Sequence, residues 1–199
     1  WRTLFVITIA VPQFVSLLLM RNFLNDHGPL NGLLQTLHLT NGPIPFLTDP
    51  LWAKFSIIFV NMWIGIPFTM LVTTGIIMNL PTEQIEAAEI DGASKFQIFK
   101  SITFPQILLI MAPSLIQQFI GNINNFNVIY FLTGGGPTNS EYYQAGSTDL
   151  LVTWLYKLTV SAKDYNLASV IGILIFAISA TFSLLAYTRS SSFKEGAAK

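Results

Sequence analysis

Four stretches of this chain contain no Asp, Glu, Lys or Arg: residues 3–20, 55–80, 106–132 and 166–188. Each is long enough to carry a helix across ~30 Å of hydrocarbon, which takes about 20 residues at 1.5 Å apiece. In lipid every backbone N–H and C=O must find its partner within the fold, so only helices and closed barrels can span. Barrel strands read as alternating segments of ~10 residues, and these runs do not alternate. The sequence therefore predicts an all-α, polytopic membrane protein. Charged residues make up 10% of the chain, against about 25% in a soluble domain. Ten basic and ten acidic side chains cancel, which removes the basic face that nucleic-acid binding requires. The expected environment is the lipid bilayer, with no nucleic-acid partner. Cysteine is absent, excluding a disulfide frame, a thiolate metal site and a Cys nucleophile.

Pro12, Pro67 and Pro113 fall inside the first three runs, where each removes a backbone bond and favours a kink. Residues 21–54, 81–105 and 133–165 connect the runs, and a tail follows Arg189. Alternating sides groups Arg2, Lys95, Lys100, Arg189, Lys194 and Lys199 together, opposite Arg21, Lys54, Lys157 and Lys163. That bias assigns residues 81–105 and the C-terminus to the cytoplasm of a multi-pass protein, and residues 133–165 to the outside. The chain opens on Trp1 directly before an apolar run, without the n-region or cleavage site of a signal peptide. We read residues 1–199 as a single transmembrane domain with further helices expected upstream.

The 81–105 connection has the densest local signals. Pro81 ends a membrane helix, and Thr82 is suited to cap a new one with Glu83 in its first turn. Gly92 fits the left-handed position that stops that helix. Ser94 with Gln97 forms a capping box that starts a second helix, and Pro105 is expected to mark its end. Two short helices with a glycine bend result, presenting small Ala87 and Ala88 and apolar Phe96, Phe99 and Ile102. On pattern alone, an amphipathic loop in the headgroup region and a docking surface explain this equally well.

The residues themselves add a resemblance. Glu86-Ala87-Ala88, Asp91-Gly92-Ala93, Ile102-Thr-Phe104-Pro105 and Pro113 are similar to the signature loop of ATP-binding-cassette importer permeases, with Phe104 where that family has Leu. The resemblance implies a type I importer permease helix bundle in a prokaryotic inner or plasma membrane. It also implies that Glu86, Ala87, Ala88, Asp91, Gly92, Ala93 and Pro105 belong to a coupling-helix loop that inserts into a cytoplasmic ATPase. Ala10-Val-Pro12, Asn61-Met-Trp63-Ile-Gly65, Asn122-Ile-Asn-Asn125-Phe126, Gly135-Gly-Pro137 and Thr148-Asp-Leu150 extend it over the whole chain, towards the larger permease subunit of maltose and maltodextrin importers. The implied partners are a second homologous permease subunit, an ATP-binding-cassette ATPase dimer and an extracellular sugar-binding protein. ATP and Mg would be bound by the ATPase, leaving this chain non-catalytic and without a cofactor.

At 100° per residue, Gln118, Asn122 and Asn125 share one face of the third run, and Asn61, Gly65 and Phe68 repeat that spacing on the second. Gln13 follows Pro12 on the first. Amides match sugar hydroxyls without a net charge, Phe68 offers a face for a sugar ring, and Gly65 leaves room beside it. The plainer explanation is amide pairing between helices, at ~0.6–2 kcal/mol each, which we expect of Asn124 and Asn127. The resemblance implies sugar contacts at Asn61, Gly65, Asn122 and Asn125. Gln13 and Gln118 stand where that family usually has serine.

In the 133–165 connection, Leu150, Leu151, Trp154, Leu155 and Leu158 recur at helical spacing over residues 147–158. This suits an amphipathic helix on the membrane face, anchored by Trp154 and Tyr156. The resemblance implies that it faces the binding protein together with the Gly134–Pro137 turn. Gly134-Gly-Gly-Pro137 lacks the Gly-Lys-Ser/Thr of a phosphate loop. His27 and His38 share one connection without clustered carboxylates, so no metal site is expected. No Ser/His/Asp set assembles within a run, so no catalytic residue is assigned.

Three classes of function compete: an importer permease powered by a separate ATPase, a secondary carrier of a neutral solute, and a membrane scaffold. A proton-coupled carrier needs an ionisable relay in the membrane, which these runs lack, and a scaffold leaves the 81–105 loop unexplained. The permease of an ATP-driven, binding-protein-dependent sugar importer is the reading taken forward, with a maltodextrin-like oligosaccharide as the expected solute.

Overall fold

A computed structural model describes residues 9–189. Most of the first apolar run lies within that range, but residues 1–8 fall outside it. Its described part is not one helix through Pro12. Pro12 has φ −54° and ψ 132° and precedes α1, Gln13–Phe23, because extended ψ at a residue ahead of the first turn suits proline better than a helix interior. A short α2, Pro29–Thr36, follows. Buried Asn31 pins this segment: its Nδ2 donates to the carbonyls of Asn25 and Ile44 at 3.2 and 3.0 Å, and its Oδ1 accepts from Ile44 N at 2.8 Å.

The second run becomes α3, Pro50–Met78. It begins before the apolar stretch because Asp49 caps it, accepting from Leu51 N and Trp52 N at 3.0 Å each. Pro67 sits inside it. After α4, Thr82–Ile90, comes α5, Lys95–Ile98, which passes through a π-helical turn at Phe99–Thr103 into α6, Phe104–Ile123. The third run is not a single helix: it breaks at Asn124 and resumes as α7, Phe126–Leu132. Asn125 is the reason. Its Oδ1 accepts from Val128 N at 3.3 Å, offering a helix start that competes with continuation of α6. α8, Leu151–Lys157, continues through a π-helical turn at Leu158–Ala162, and α9, Tyr165–Arg189, completes the fold. Asp164 caps α9 through Leu167 N at 3.1 Å.

Among the described residues three helices are long and apolar enough to cross a membrane: Pro50–Met78, Lys95–Ile123 and Tyr165–Ala186. Only 11–17% of their apolar windows is buried within the chain, as expected of surfaces that face lipid or other helices. The interior lies instead in small clusters. Leu17, Leu24, Val60, Val128 and Leu132 join α1, α3 and α7 at the end of the bundle opposite residues 81–105. Leu80, Ile107 and Met111 join α3 and α6 near the other end. Leu158, Ala168 and Ile171 seat the segment after α8 on α9.

The 133–165 connection is more ordered than a surface helix requires. Its helix starts at Leu151 rather than 147, and Trp154 does not simply anchor in lipid: its Nε1 donates to Tyr143 O at 2.7 Å. Tyr156 packs edge-on against the stacked rings of Phe126 and Tyr130. Asp149, 3% exposed, pairs with Lys157 Nζ at 2.6 Å and accepts from Gly146 N at 2.7 Å. Gly135, at φ +80°, lies directly against that carboxylate, and a Cβ there would collide with it. Two separate motif segments, 135–137 and 148–150, are thereby brought into one compact turn.

Candidate functional site

The 81–105 segment shows the expected glycine bend and an unexpected continuation. Gly92 adopts φ +79°, and Gly92 N and Ala93 N donate back to the carbonyls of Glu89 and Ala88 at 3.1 and 2.9 Å, closing α4. Thr82 is not its cap: Pro81 occupies that position, with no side-chain hydrogen bond. The Ser94–Gln97 capping box is formed, with Ser94 N donating to Gln97 Oε1 at 2.8 Å. Pro105 does not end the helix that follows. The π-helical turn just ahead of it widens the backbone, so the missing N–H and the ring are accommodated and the helix runs on to Ile123. On this surface Glu86, Ala87, Asp91 and Gly92 are exposed, while Ala88 and Ala93 are half-buried. Ile90 is 87% and Phe96 72% exposed, an apolar pair on either side of the bend. Ile90 escapes a search for small-residue motifs, and its signal is an isolated apolar residue in an acidic helix. A side-chain bond from Gln106 Nε2 to Gln84 Oε1, 2.6 Å, ties α4 to α6.

Deeper in the bundle, three of the predicted amides meet. Asn61 Nδ2 donates to Asn122 Oδ1 at 2.8 Å. Asn125 Nδ2 donates to Asn61 Oδ1 at 3.1 Å and lies 3.4 Å from Asn122 Oδ1. Asn122 Nδ2 donates to Gln118 O at 2.9 Å. Asn125 joins this ring from beyond the end of α6, not from the α6 face that the spacing predicts. Asn124 and Asn127 pair elsewhere, with Ser179 Oγ at 2.9 Å and Gln13 Oε1 at 3.4 Å.

Below the ring an open groove of about 620 Å³ runs between α3 and α6, lined by Asn61, Gly65, Thr69, Thr73, Gln118 and Asn122 among apolar side chains. No residue lining it is charged. Gly65 leaves open space: a Cβ there would meet nothing within 4 Å. Thr69 and Thr73 extend the Asn61–Gly65 row at steps of four, a signal hidden by the rival spacing of seven that singles out Phe68. Phe68 and Gln13 do not join this groove. They line a separate hollow of about 270 Å³ between α1 and α3, with Pro12 and Trp63. Among the described residues no cluster of His, Asp or Glu is arranged to hold a metal ion.

Residues 1–192 match the family described as binding-protein-dependent transport system inner membrane component. The chain is 40% identical to the galactooligosaccharides transport system permease protein GanP of Bacillus subtilis, over 99% of this chain and 47% of that protein. It is 38% identical to the maltodextrin transport system permease protein MalC of Streptococcus pneumoniae, over 96% of this chain and 45% of that protein. It thus spans about half the length of these curated relatives. Its fold superposes with TM-score 0.80 and 26% identity on a crystal structure of a bacterial ABC transporter involved in import of the acidic polysaccharide alginate, covering 94% of this chain and 63% of that one. With three spanning helices, this multi-pass membrane chain belongs to the binding-protein-dependent inner membrane components, the permeases of ABC importers.

Proposed function

We propose that this chain forms part of the translocation pathway of an ATP-driven importer for a neutral oligosaccharide of the maltodextrin or galactooligosaccharide type. The observation that carries the reading is the Asn61–Asn122–Asn125 ring at the head of an uncharged groove. Amides supply paired donors and acceptors to hydroxyls, and the relatives named for maltodextrin and galactooligosaccharide transport support the same class of solute. In this reading the sugar meets Asn61, Gly65, Asn122 and Asn125, with the 81–105 end of the bundle and the C-terminus in the cytoplasm.

The chain is non-catalytic and needs no cofactor of its own. An ATPase dimer engages α4 and the exposed Ile90 and Phe96, a second permease subunit supplies the other wall of the pathway, and an extracellular binding protein delivers the sugar to the 133–165 side. An import complex with an alginate-bound periplasmic protein is known for the solved relative, which supports this division of labour. The experiment is to purify the complex from its native membrane, identify co-eluting subunits, and screen sugars for stimulation of ATP hydrolysis with the binding protein present. Stimulation by maltodextrins or galactooligosaccharides is expected. Stimulation confined to charged solutes, or the absence of any ATPase subunit, overturns the reading.

A further inference from the structure

This inference rests on the groove being the sugar path and concerns how one of its side chains is aimed. Hydrogen-bonding capacity in the amide cluster is unevenly used. Asn61, Asn122 and Asn125 each donate through Nδ2 and accept through Oδ1 within the fold. Gln118 differs. Its Oε1 accepts from Thr69 Oγ1 at 3.3 Å, and its Nε2 makes no hydrogen bond among the described residues. Among the described amides that line the groove, it is the nitrogen with both N–H groups unspent.

Thr69 is well placed to hold it. The Thr69 hydroxyl has one hydrogen and two acceptors in reach, the Gly65 carbonyl one turn back at 3.1 Å and Gln118 Oε1 at 3.3 Å, so it bridges them as a shared bond that keeps the amide oxygen against α3. The next threonine in the row, Thr73, donates to Thr69 O at 2.8 Å and packs its hydroxyl against Met111 Sδ at 3.2 Å, which closes off alternative partners below. Because an amide is planar, tethering its oxygen to α3 restricts the positions open to its nitrogen. A free glutamine would lose the freedom of three side-chain torsions on binding, and a tethered one has lost most of it beforehand.

We propose that Thr69 is a positioning and specificity-determining residue for transport: it orients Gln118 so that Nε2 presents a fixed donor to an acceptor oxygen of a neutral sugar in the groove. The test uses the complete importer in proteoliposomes at saturating loaded binding protein. The probe is whichever of maltotriose and galactotriose the wild type takes up, and uptake is compared for Thr69→Val, Thr69→Ser, Gln118→Leu and the double variant Thr69→Val with Gln118→Leu. Thr69→Val keeps the shape of the side chain and removes the hydroxyl, and uptake is expected to fall about tenfold, the worth of one hydrogen bond. Thr69→Ser should restore it to within about twofold, and the double variant should be no slower than Gln118→Leu alone. Wild-type uptake by Thr69→Val or by Gln118→Leu, or additive losses in the double variant, overturns the proposal. If Thr69→Val does not assemble, Thr69→Ala takes its place: a similar loss supports the proposal and wild-type uptake overturns it. Asn122→Ala separates the two levels: if it loses uptake while Thr69→Val does not, only the role of Thr69 fails, whereas wild-type uptake by Asn122→Ala removes the sugar path itself.

Discussion

Asn125 and Asn61 lie 64 positions apart and share a 3.1 Å hydrogen bond, although Asn125 sits past the end of the helix that carries Asn122. Asn125 therefore does two jobs with one side chain: its Nδ2 closes the amide ring and its Oδ1 caps α7. Asn125→Ala should lose both, lowering uptake and costing about 1 kcal/mol of stability through the cap. Asn125→Ser should keep the cap and lose the ring. Uptake by reconstituted complex and thermal unfolding in detergent separate the two, and serine should match wild type in the second measurement only. Asn122→Ala should lower uptake about ten- to a hundred-fold with ATPase assembly retained.

Gly65 offers a cleaner dissection of function from stability. It is helical and its missing Cβ faces open space in the groove. Gly65→Ala should leave melting unchanged or raise it, since alanine is favoured over glycine in a helix by about 1 kcal/mol, yet slow uptake by narrowing the path. Gly121→Ala is the control, also in open space but not lining the groove. Equal uptake by both variants would contradict the assignment.

At Gly92 the cost is conformational and not steric. The φ of +79° is strained for a residue with a Cβ, and no atom lies within 4 Å of where that Cβ would be. Gly92→Val should cost ~1–2 kcal/mol locally, leave membrane abundance normal, and weaken ATPase co-purification or uncouple hydrolysis from uptake. Gly92→Ala should be milder. Normal coupling in Gly92→Val would show that the bend does not set the ATPase contact.

Gly135 makes the opposite case, because there a Cβ would strike the Asp149 carboxylate. Gly135→Ala should displace the Asp149–Lys157 pair and loosen the whole turn, and Lys157→Met, which leaves a nearly buried carboxylate without its cation, should cost ~3–5 kcal/mol. Limited proteolysis within residues 138–146, set against wild type, reads both, with faster cleavage expected.

Charged solutes should be rejected. Among the described residues no cation or anion lines the groove, and an unpaired ion there bears a large desolvation cost. Acidic alginate oligosaccharides, handled by the solved relative, should neither stimulate ATP hydrolysis nor be taken up. Robust alginate uptake would contradict this.

What the sequence reveals follows from how local each signal is. Gly92 and the Ser94–Gln97 box depend on neighbours within a few residues, so composition and spacing are enough to find them. Pro105 misleads because its usual effect is cancelled by a π-helical turn, and nothing in Phe99-Lys-Ser-Ile-Thr103 announces one. The same limit explains Phe68. Along an ideal helix, residues seven apart lie nearly in line, while steps of four drift by about 40° each. The groove follows the drifting row from Asn61 through Gly65 and Thr69 to Thr73, with Gln118 and Asn122 of α6 opposite, and which row a neighbouring helix leaves open is a property of two helices and not of one. Asn125 was visible as a polar residue, but its place outside α6 depends on a cap forming where an apolar run suggests continuity.

The unbroken stretch from Lys95 to Ile123 has a mechanical consequence. It is a continuous rod about 43 Å long at α-helical rise, with Phe96 near one end, Asn122 near the other, and the Gln84–Gln106 bond as a strut close to its base. Between those ends lie the π-helical turn at Phe99–Thr103 and Pro113, the places where a helix of this length bends. At Asn124 the helix is interrupted, and α7 beyond it packs on α1 and α3 through Leu17, Val60, Val128 and Leu132. The amide ring thus straddles the break in the helix: Asn122 belongs to the long rod, Asn125 to the segment beyond it, and Asn61 bridges the two from α3.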